Sequence, residues 1–283
     1  MGFPNSSKFF AESPYYKLIE EVIWHIHQNT VADLSLKALA KKFRVSEFYL
    51  QRIFKRWAGI SPAQYIRYLK FQNAKAKIRT KSSLSAASND SGFSSSSRLH
   101  DLFVNIEAVT PLQYKQMGKG LEIAYGFSST AFGKCLLGVS DRGICFLGFI
   151  DGNENEALKI QKANWRNARF KFDPHRIEKV AGQIFGKKSK PVTLLLKGTN
   201  FQIKVWEALL KIGSGETSSY KKIASAIGNA GSVRAVGGAC GRNDLAFIIP
   251  CHRVLTSGGK LGGYRWGEKR KLALLEWERM KAL

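Results

Sequence analysis

GSVRAVGGACGRNDLAFIIPCHRV, residues 231–254, decides how this chain is read. Ser232 can cap a short helix whose residues are mostly small. Arg234 stands near its start. Asn243 and Asp244 break the helical pattern, and the apolar run to Ile249 leads into Pro250, Cys251 and His252. Upstream, SYKKIASAIGN (219–229) reads as a second short helix, with Ser218 or Ser219 as its cap, so the two form a helix-turn-helix. Downstream, SGGKLGGYRWG (257–267) is a glycine-rich loop carrying Tyr264 and Trp266. Such a loop can pass close to a flat aromatic ligand. KRKLALLEWERM (269–280) reads as an amphipathic helix. Cys251 is then a packed thiol, a metal ligand or a nucleophile. A neighbouring histidine favours the thiolate. The chain has four cysteines, 135, 145, 240 and 251, with no CxxC pair and no tight Cys/His cluster, which argues against a zinc site. Cys135 and Cys145 lie in apolar strand-like runs and read as packed hydrophobes.

The 283 residues carry 45 Lys and Arg against 21 Asp and Glu, a formal charge of +24. That excess points to polyanions, nucleic acid first. It is also clustered: Leu36–Lys81 holds 13 basic residues and one acid, Glu47. No run of apolar residues is long enough to span a bilayer. The first residues lack a basic region followed by an apolar core, so no secretory signal is expected. Four cysteines in a chain this long, with no export signal expected, read as reduced thiols in a cytosol rather than as a disulfide framework.

Residues 1–14 read as a loose tail. YYKLIEEVIWHIHQN (15–29) has helical spacing, with His25 and His27 at its surface or boundary. Next, LSLKALAKKF and SEFYLQRIFKRW give two short helices around a turn at Arg44-Val45, with Ser46 as the second cap and Glu47 in its first turn. Gln51, Arg52, Lys55 and Arg56 fall on the polar side of that second helix, suited to a major groove. A weaker copy follows, GFSSSSRLHDLF (92–103), which includes Arg98, then Thr110-Pro111 as a further helix start. After Gly120 the pattern changes to β-type runs split at Ser140–Gly143, a helix entered at Asp173-Pro174, and a strand in PVTLLLKGT (191–199).

Two resemblances rest on these residues. SLKALAKKFRVSEFYLQRIFK, GISPAQYIRYLKFQNAK, GFSSSSRLHDLF and TPLQYK make residues 15–116 similar to the DNA-binding domain of AraC-type regulators. FQIKVWEALLKI, GETSSYKKIASAIG, VRAVGGACGRN, IPCHRV and GYRWG make residues 121–283 resemble the O6-alkylguanine-DNA alkyltransferases. The two together resemble the Ada-type fusion without its zinc-bearing N-terminal domain. The implied fold class is multidomain, mainly α plus α+β. Its parts are a tail (1–14), an AraC-type double helix-turn-helix (15–118), a small α/β subdomain of ribonuclease-H-like type (119–198) and an all-α catalytic domain containing a helix-turn-helix (199–283).

The resemblance implies irreversible, single-turnover transfer of an alkyl group from O6-alkylguanine, and O4-alkylthymine, to Cys251. In it His252 acts as base through a water, Glu278 orients His252, Asn243 braces the turn, and Tyr220 meets the base or its 3′ phosphate. Arg234 fills the gap left by a flipped nucleotide, and Ala235 and Gly238 allow minor-groove approach. Val254, Tyr264, Arg265 and Cys240 line the pocket. Arg52, Lys55, Arg56 and Arg98 meet DNA in the N-terminal unit. No metal or organic cofactor is implied. The implied partners are alkylated double-stranded DNA, promoter DNA and RNA polymerase, for a monomer in the bacterial cytoplasm at the nucleoid. The alternatives are a transcription regulator or lesion sensor with little transfer, and a Cys-His hydrolase. Asp244 stands where many members have proline, which predicts a looser turn.

Overall fold

The structure, a computed structural model, describes residues 14–29, 34–70, 104–108, 116–186 and 192–281. The N-terminal unit contains α1 (Pro14–Gln28), α2 (Leu36–Lys42), α3 (Glu47–Ala58) and α4 (helical over residues 62–70). Ser46 Oγ accepts from the Tyr49 amide at 3.1 Å, as the sequence predicts. Gly59, in the left-handed region at φ 87°, ends α3 and donates its amide to Lys55 O. Leu39, Leu50, Ile53 and Phe54 form this unit's core with Ile19, Val22, Ile23 and Ile26 of α1. The second unit of this domain, with Leu84, Gly92, Ser94, Arg98, Leu102 and Phe103, lies outside the described residues, as does the Thr110-Pro111 helix start.

A six-stranded mixed sheet follows, in the order β1-β6-β4-β3-β2-β5. Its strands are β1 (Val104–Ala108), β2 (Glu122–Thr130), β3 (Gly133–Val139), β4 (Ile144–Phe149), β5 (Arg169–Phe172) and β6 (Val192–Leu196). β2, β3 and β4 form an antiparallel meander, while β1 and β5 pair in parallel with β6 and β2. Two helices belong to this part, α5 (Glu154–Asn164) and α6 (Pro174–Phe185), the latter capped by Asp173. The strand β1 is unexpected, because the sequence assigns 104–108 to the second helical unit. Its V-N-I-E-A alternation suits a strand once β6 offers a free edge. α5 and β5 also add to the elements that the sequence leads one to expect.

Gly138 of β3 faces Phe146, fully buried on the neighbouring strand. A Cβ at 138 would lie 2.1 Å from Phe146 Cζ. Gly138→Ala is expected to cost about 1–3 kcal/mol by overpacking, read as a lowered thermal midpoint.

The C-terminal part holds α7 (Asn200–Leu210), α8 (Tyr220–Ala226), α9 (Val233–Gly241), a 3₁₀ turn at Cys251–Arg253 and α10 (Glu268–Lys281). Two-residue strands β7 (Ser218–Ser219) and β8 (Val254–Leu255) pair in parallel. Ser219 caps α8 through the Lys222 amide. Ser232 precedes α9 but its hydroxyl donates instead to Asn229 O, at 2.7 Å.

α10 is not the one-sided amphipathic helix that its sequence suggests. Every residue from Arg270 to Glu276 is buried, as are Glu278 and Met280. The reason is two-sided packing. Ala273 and Leu274 join the core of the sheet and of α7, α8 and α9, while Leu272 and Met280 join the core of the N-terminal unit. Polar ties complete the junction. Trp57 Nε1 donates to Ala131 O, Trp277 Nε1 to Trp57 O, and the Tyr65 hydroxyl to the buried Glu276 carboxylate at 2.9 Å. Among the described residues no helix is long and apolar enough to cross a membrane.

Candidate active site

Cys251 opens the 3₁₀ turn and is 4% exposed. Asn243, fully buried just beyond α9, holds it. Asn243 Nδ2 donates to Cys251 Sγ at 3.2 Å and to Ile249 O at 3.0 Å, and its Oδ1 accepts from the Leu245 amide at 2.8 Å. One side chain thus closes the loop 243–251 on itself and points a donor at the sulfur. The strain of this loop falls on Phe247, a non-glycine residue at φ 66°. Its ring stacks on His252 with an interplanar angle of 5°.

His252 is fully buried. Its Nε2 lies 3.0 Å from Glu278 Oε1, and its Nδ1 is buried without a hydrogen-bond partner. Glu278 also receives Arg253 Nη2 at 2.8 Å, Arg253 Nε at 2.9 Å and the Gly215 amide at 3.1 Å. Burial alone would raise the Glu278 carboxyl, but His252 and Arg253 outweigh it and bring it down to about 2. Burial lowers His252, against the pull of Glu278, so its imidazole is neutral at pH 7. Burial raises the Cys251 thiol, against Asn243 and Lys271. A protonated thiol beside a neutral, carboxylate-oriented imidazole is the arrangement that general-base activation requires.

Parts of α8, α9 and the glycine-rich loop stand around Cys251. Tyr220, at the start of α8, has its hydroxyl 3.4 Å from the point where a side chain on Gly262 would begin. Burial pushes its phenol up to about 12, so it remains a donor at neutral pH. The Tyr264 hydroxyl is buried without a hydrogen-bond partner, and its ring meets Trp266 at 5.3 Å. Val254 is fully buried. Cys240 is a buried thiol raised to about 12 by burial; Cys135 at about 12 and Cys145 at about 11 are likewise inert at neutral pH. Arg234, Ala235 and Gly238 form the exposed side of α9.

Asp244 does not leave its turn loose. Its carboxylate accepts from Arg265 Nη1 at 2.5 Å, and the same nitrogen donates to Asn243 O at 3.2 Å. The ion pair supplies a tie where proline supplies rigidity.

Three side chains escaped the sequence reading. Lys271, fully buried, donates Nζ to the carbonyls of Val254, Leu261 and Gly263. It lies two helical turns before Glu278, so both fall on one face of α10, a spacing that could have revealed it. Arg253, two residues after the cysteine, is the second clamp on Glu278. Phe48 is 75% exposed on α3, with the Arg52 guanidinium 5.8 Å from its ring. Arg52, Lys55 and Arg56 are exposed on the same helix. These groups lie far along the chain from Cys251 and do not join its pocket; Arg98 lies outside the described residues.

The sequence is similar to those of several known proteins. Residues 200–280 match the family model described as 6-O-methylguanine DNA methyltransferase, DNA binding domain, and residues 39–117 match a helix-turn-helix domain. The bifunctional transcriptional activator/DNA repair enzyme Ada of Escherichia coli is 35% identical over 251 residues, covering 87% of this chain and 70% of that protein. A methylated-DNA–protein-cysteine methyltransferase of Mycobacterium bovis is 56% identical over 91 residues, 32% of this chain and 55% of that protein. Among solved structures, an O6-methylguanine methyltransferase of Mycobacterium tuberculosis covers 57% of this chain and 95% of its own at 35% identity, with a TM-score of 0.46. With its helix-turn-helix unit and its alkyltransferase half both matched along most of its length, the chain belongs to the Ada family of DNA alkyltransferases.

Proposed function

We propose that the protein repairs DNA by moving the alkyl group of O6-alkylguanine onto Cys251, once per molecule, while its helix-turn-helix unit binds DNA. The observation that supports this reading most is the convergence on one buried sulfur: Asn243 at 3.2 Å, and the adjacent His252 held by Glu278 at 3.0 Å. The thiol proton passes through a water to His252 Nδ1. Sγ then attacks the alkyl carbon, the bond from that carbon to O6 breaks, and its electrons leave with guanine. Guanine takes up one proton, so atoms and charge balance. The Tyr220 phenol donates toward the departing base. The thioether has no leaving group that water can displace, which limits each molecule to one turnover.

The reacting carbon lies inside the stack, so the nucleotide rotates out of it. Arg234 fills the space left behind, and Ala235 and Gly238 let α9 approach the minor groove. Val254, Tyr264 and the backbone at Arg265 surround the base, with Cys240 behind them. In the N-terminal unit, Arg52, Lys55 and Arg56 meet phosphates and base edges, with Arg98 in the second unit. Phe48 joins them, an exposed aromatic suited to a thymine methyl. The boundaries 15–118, 119–198 and 199–283 describe these parts, the middle one of ribonuclease-H-like type. Promoter binding with recruitment of RNA polymerase, by a monomer at the nucleoid, completes the reading.

The deciding experiment mixes the protein with duplex DNA carrying one O6-methylguanine, then digests it and weighs the peptide containing Cys251. One methyl per protein on Cys251, absent in Cys251→Ala, is expected. Tight binding to lesion DNA with an unmodified Cys251 would favour a regulator or lesion sensor.

A further inference from the structure

Phe247 stands in the left-handed region, at φ 66°. A bulky side chain is an outlier there, because its Cβ crowds the backbone and Gly or Asn fits at less cost. Such strain persists only where the surroundings over-determine it, and it gathers at functional sites. The contacts that hold Phe247 are therefore informative. Backbone bonds pin the loop beside it: Ile248 donates its amide to Ala246 O at 2.7 Å and Ile249 to Leu245 O at 3.0 Å. The ring packs in an aromatic cluster, its centroid 5.0 Å from Phe185, 5.4 Å from Phe132 and 6.5 Å from Trp277. Phe132 in turn meets Trp57 of α3 edge-on, so the support of this ring reaches into the N-terminal unit. The same ring lies against His252, 6.3 Å between centroids and 5° from parallel.

His252 needs such a support. Its Nε2 is tied to Glu278 at 3.0 Å, and its Nδ1 has no hydrogen-bond partner. One hydrogen bond fixes one atom of an imidazole, not its plane. A base acts only when its nitrogen points along the path of the proton, and small misplacements are costly. Two aromatic rings set the plane here, Phe247 parallel to it and Tyr264 at 80° to it, 6.5 Å away. They differ in origin. Tyr264 stands on the glycine-rich loop, whereas Phe247 belongs to the loop 243–251 that Asn243 closes onto the sulfur. Phe247 thus ties the imidazole plane to the loop that fixes Cys251 Sγ.

We propose that Phe247 is a positioning residue: held in a strained backbone conformation, its ring sets the plane of His252 and so directs Nδ1 toward the proton of Cys251. It acts through His252, not on the alkyl group. The proposal rests on Cys251 being the acceptor and His252 the base.

The test uses the full chain and single-turnover transfer from duplex DNA carrying O6-methylguanine. The rate at saturating DNA is separated from the DNA concentration that gives half of it. Phe247→Leu keeps much of the volume but not the flat ring. It should lower the saturating rate about tenfold, a fraction of the loss for removing the base, and leave the half-saturating concentration within about twofold. Phe247→Tyr keeps the ring and should stay within about twofold of the unaltered rate. Phe247→Gly relaxes the backbone and deletes the ring, and it should slow transfer as Phe247→Leu does, which separates the ring from the strain. In a His252→Ala background Phe247→Leu should cost nothing further, because a residue that acts through the base has nothing left to position. Equal slowing with and without His252 would mean that the sulfur loop, not the imidazole, has moved, and would overturn the proposal. So would an unaltered rate in Phe247→Leu or Phe247→Gly, or a Phe247→Tyr rate as slow as that of Phe247→Leu. Two other results strike the reading beneath it, and the proposal with it: no methyl on Cys251 of the unaltered protein, or full speed in His252→Ala.

Discussion

His252→Ala is expected to slow methyl transfer to Cys251 by a factor of about 10²–10⁴, the range for losing a positioned general base. The size follows from the state of the sulfur. Burial raises the Cys251 thiol above its ordinary value, so few molecules hold a thiolate at pH 7 without help. Asn243 can stabilise the anion once formed but cannot take its proton, because Nδ2 is only a donor. His252 is the neighbouring group free to accept it, with Nδ1 unpartnered and Nε2 committed to Glu278. The pH dependence carries the same assignment. His252 is lowered from 6.5, so the rate of the unaltered protein should hold steady near neutrality and fall only below pH 6.5, as the imidazole protonates. His252→Ala should lose that acid limb. Single-turnover rates on O6-methylguanine duplex across pH provide the measurement. A variant within threefold of the unaltered protein would remove His252 from the mechanism.

Glu278→Ala is expected to destabilise the fold by about 3–5 kcal/mol at neutral pH, the cost of stranding the partner of a buried ion pair. The carboxylate gathers Arg253, His252 and the Gly215 amide, and it is almost fully buried. Its removal leaves the Arg253 guanidinium facing a cavity. The pH dependence has a definite sign. The folded carboxyl titrates at about 2 against an ordinary 4.5. Its stabilising contribution is complete above about 4.5 and disappears as pH falls through 2. Denaturant unfolding of both proteins should therefore show a difference that is largest at neutral pH and shrinks on acidification below 4.5. A constant difference would mean that packing, not charge, explains the loss.

The linear chain determined much of this protein. Ser46, Asp173 and Ser219 cap the helices their local sequence predicts, because a hydroxyl or carboxylate three residues before an amide needs no distant partner. The order of Asn243, Cys251 and His252 was legible too, since the turn joining Asn243 to Cys251 spans only eight residue steps and closes on itself. Other features depended on partners far along the chain. VNIEA became a strand because β6, some 88 residues later, pairs with it. KRKLALLEWERM looked one-sided because sequence period reports a single buried face. Tertiary packing buries two, and only then do Glu276 and Glu278 acquire opposite duties, one toward Tyr65 and one toward His252. The Asp244–Arg265 pair spans 21 residues and two loops. Local propensity records what a segment does against water. Which segments meet across the core, and so which charges and hydroxyls find each other, is decided only when the whole chain has packed.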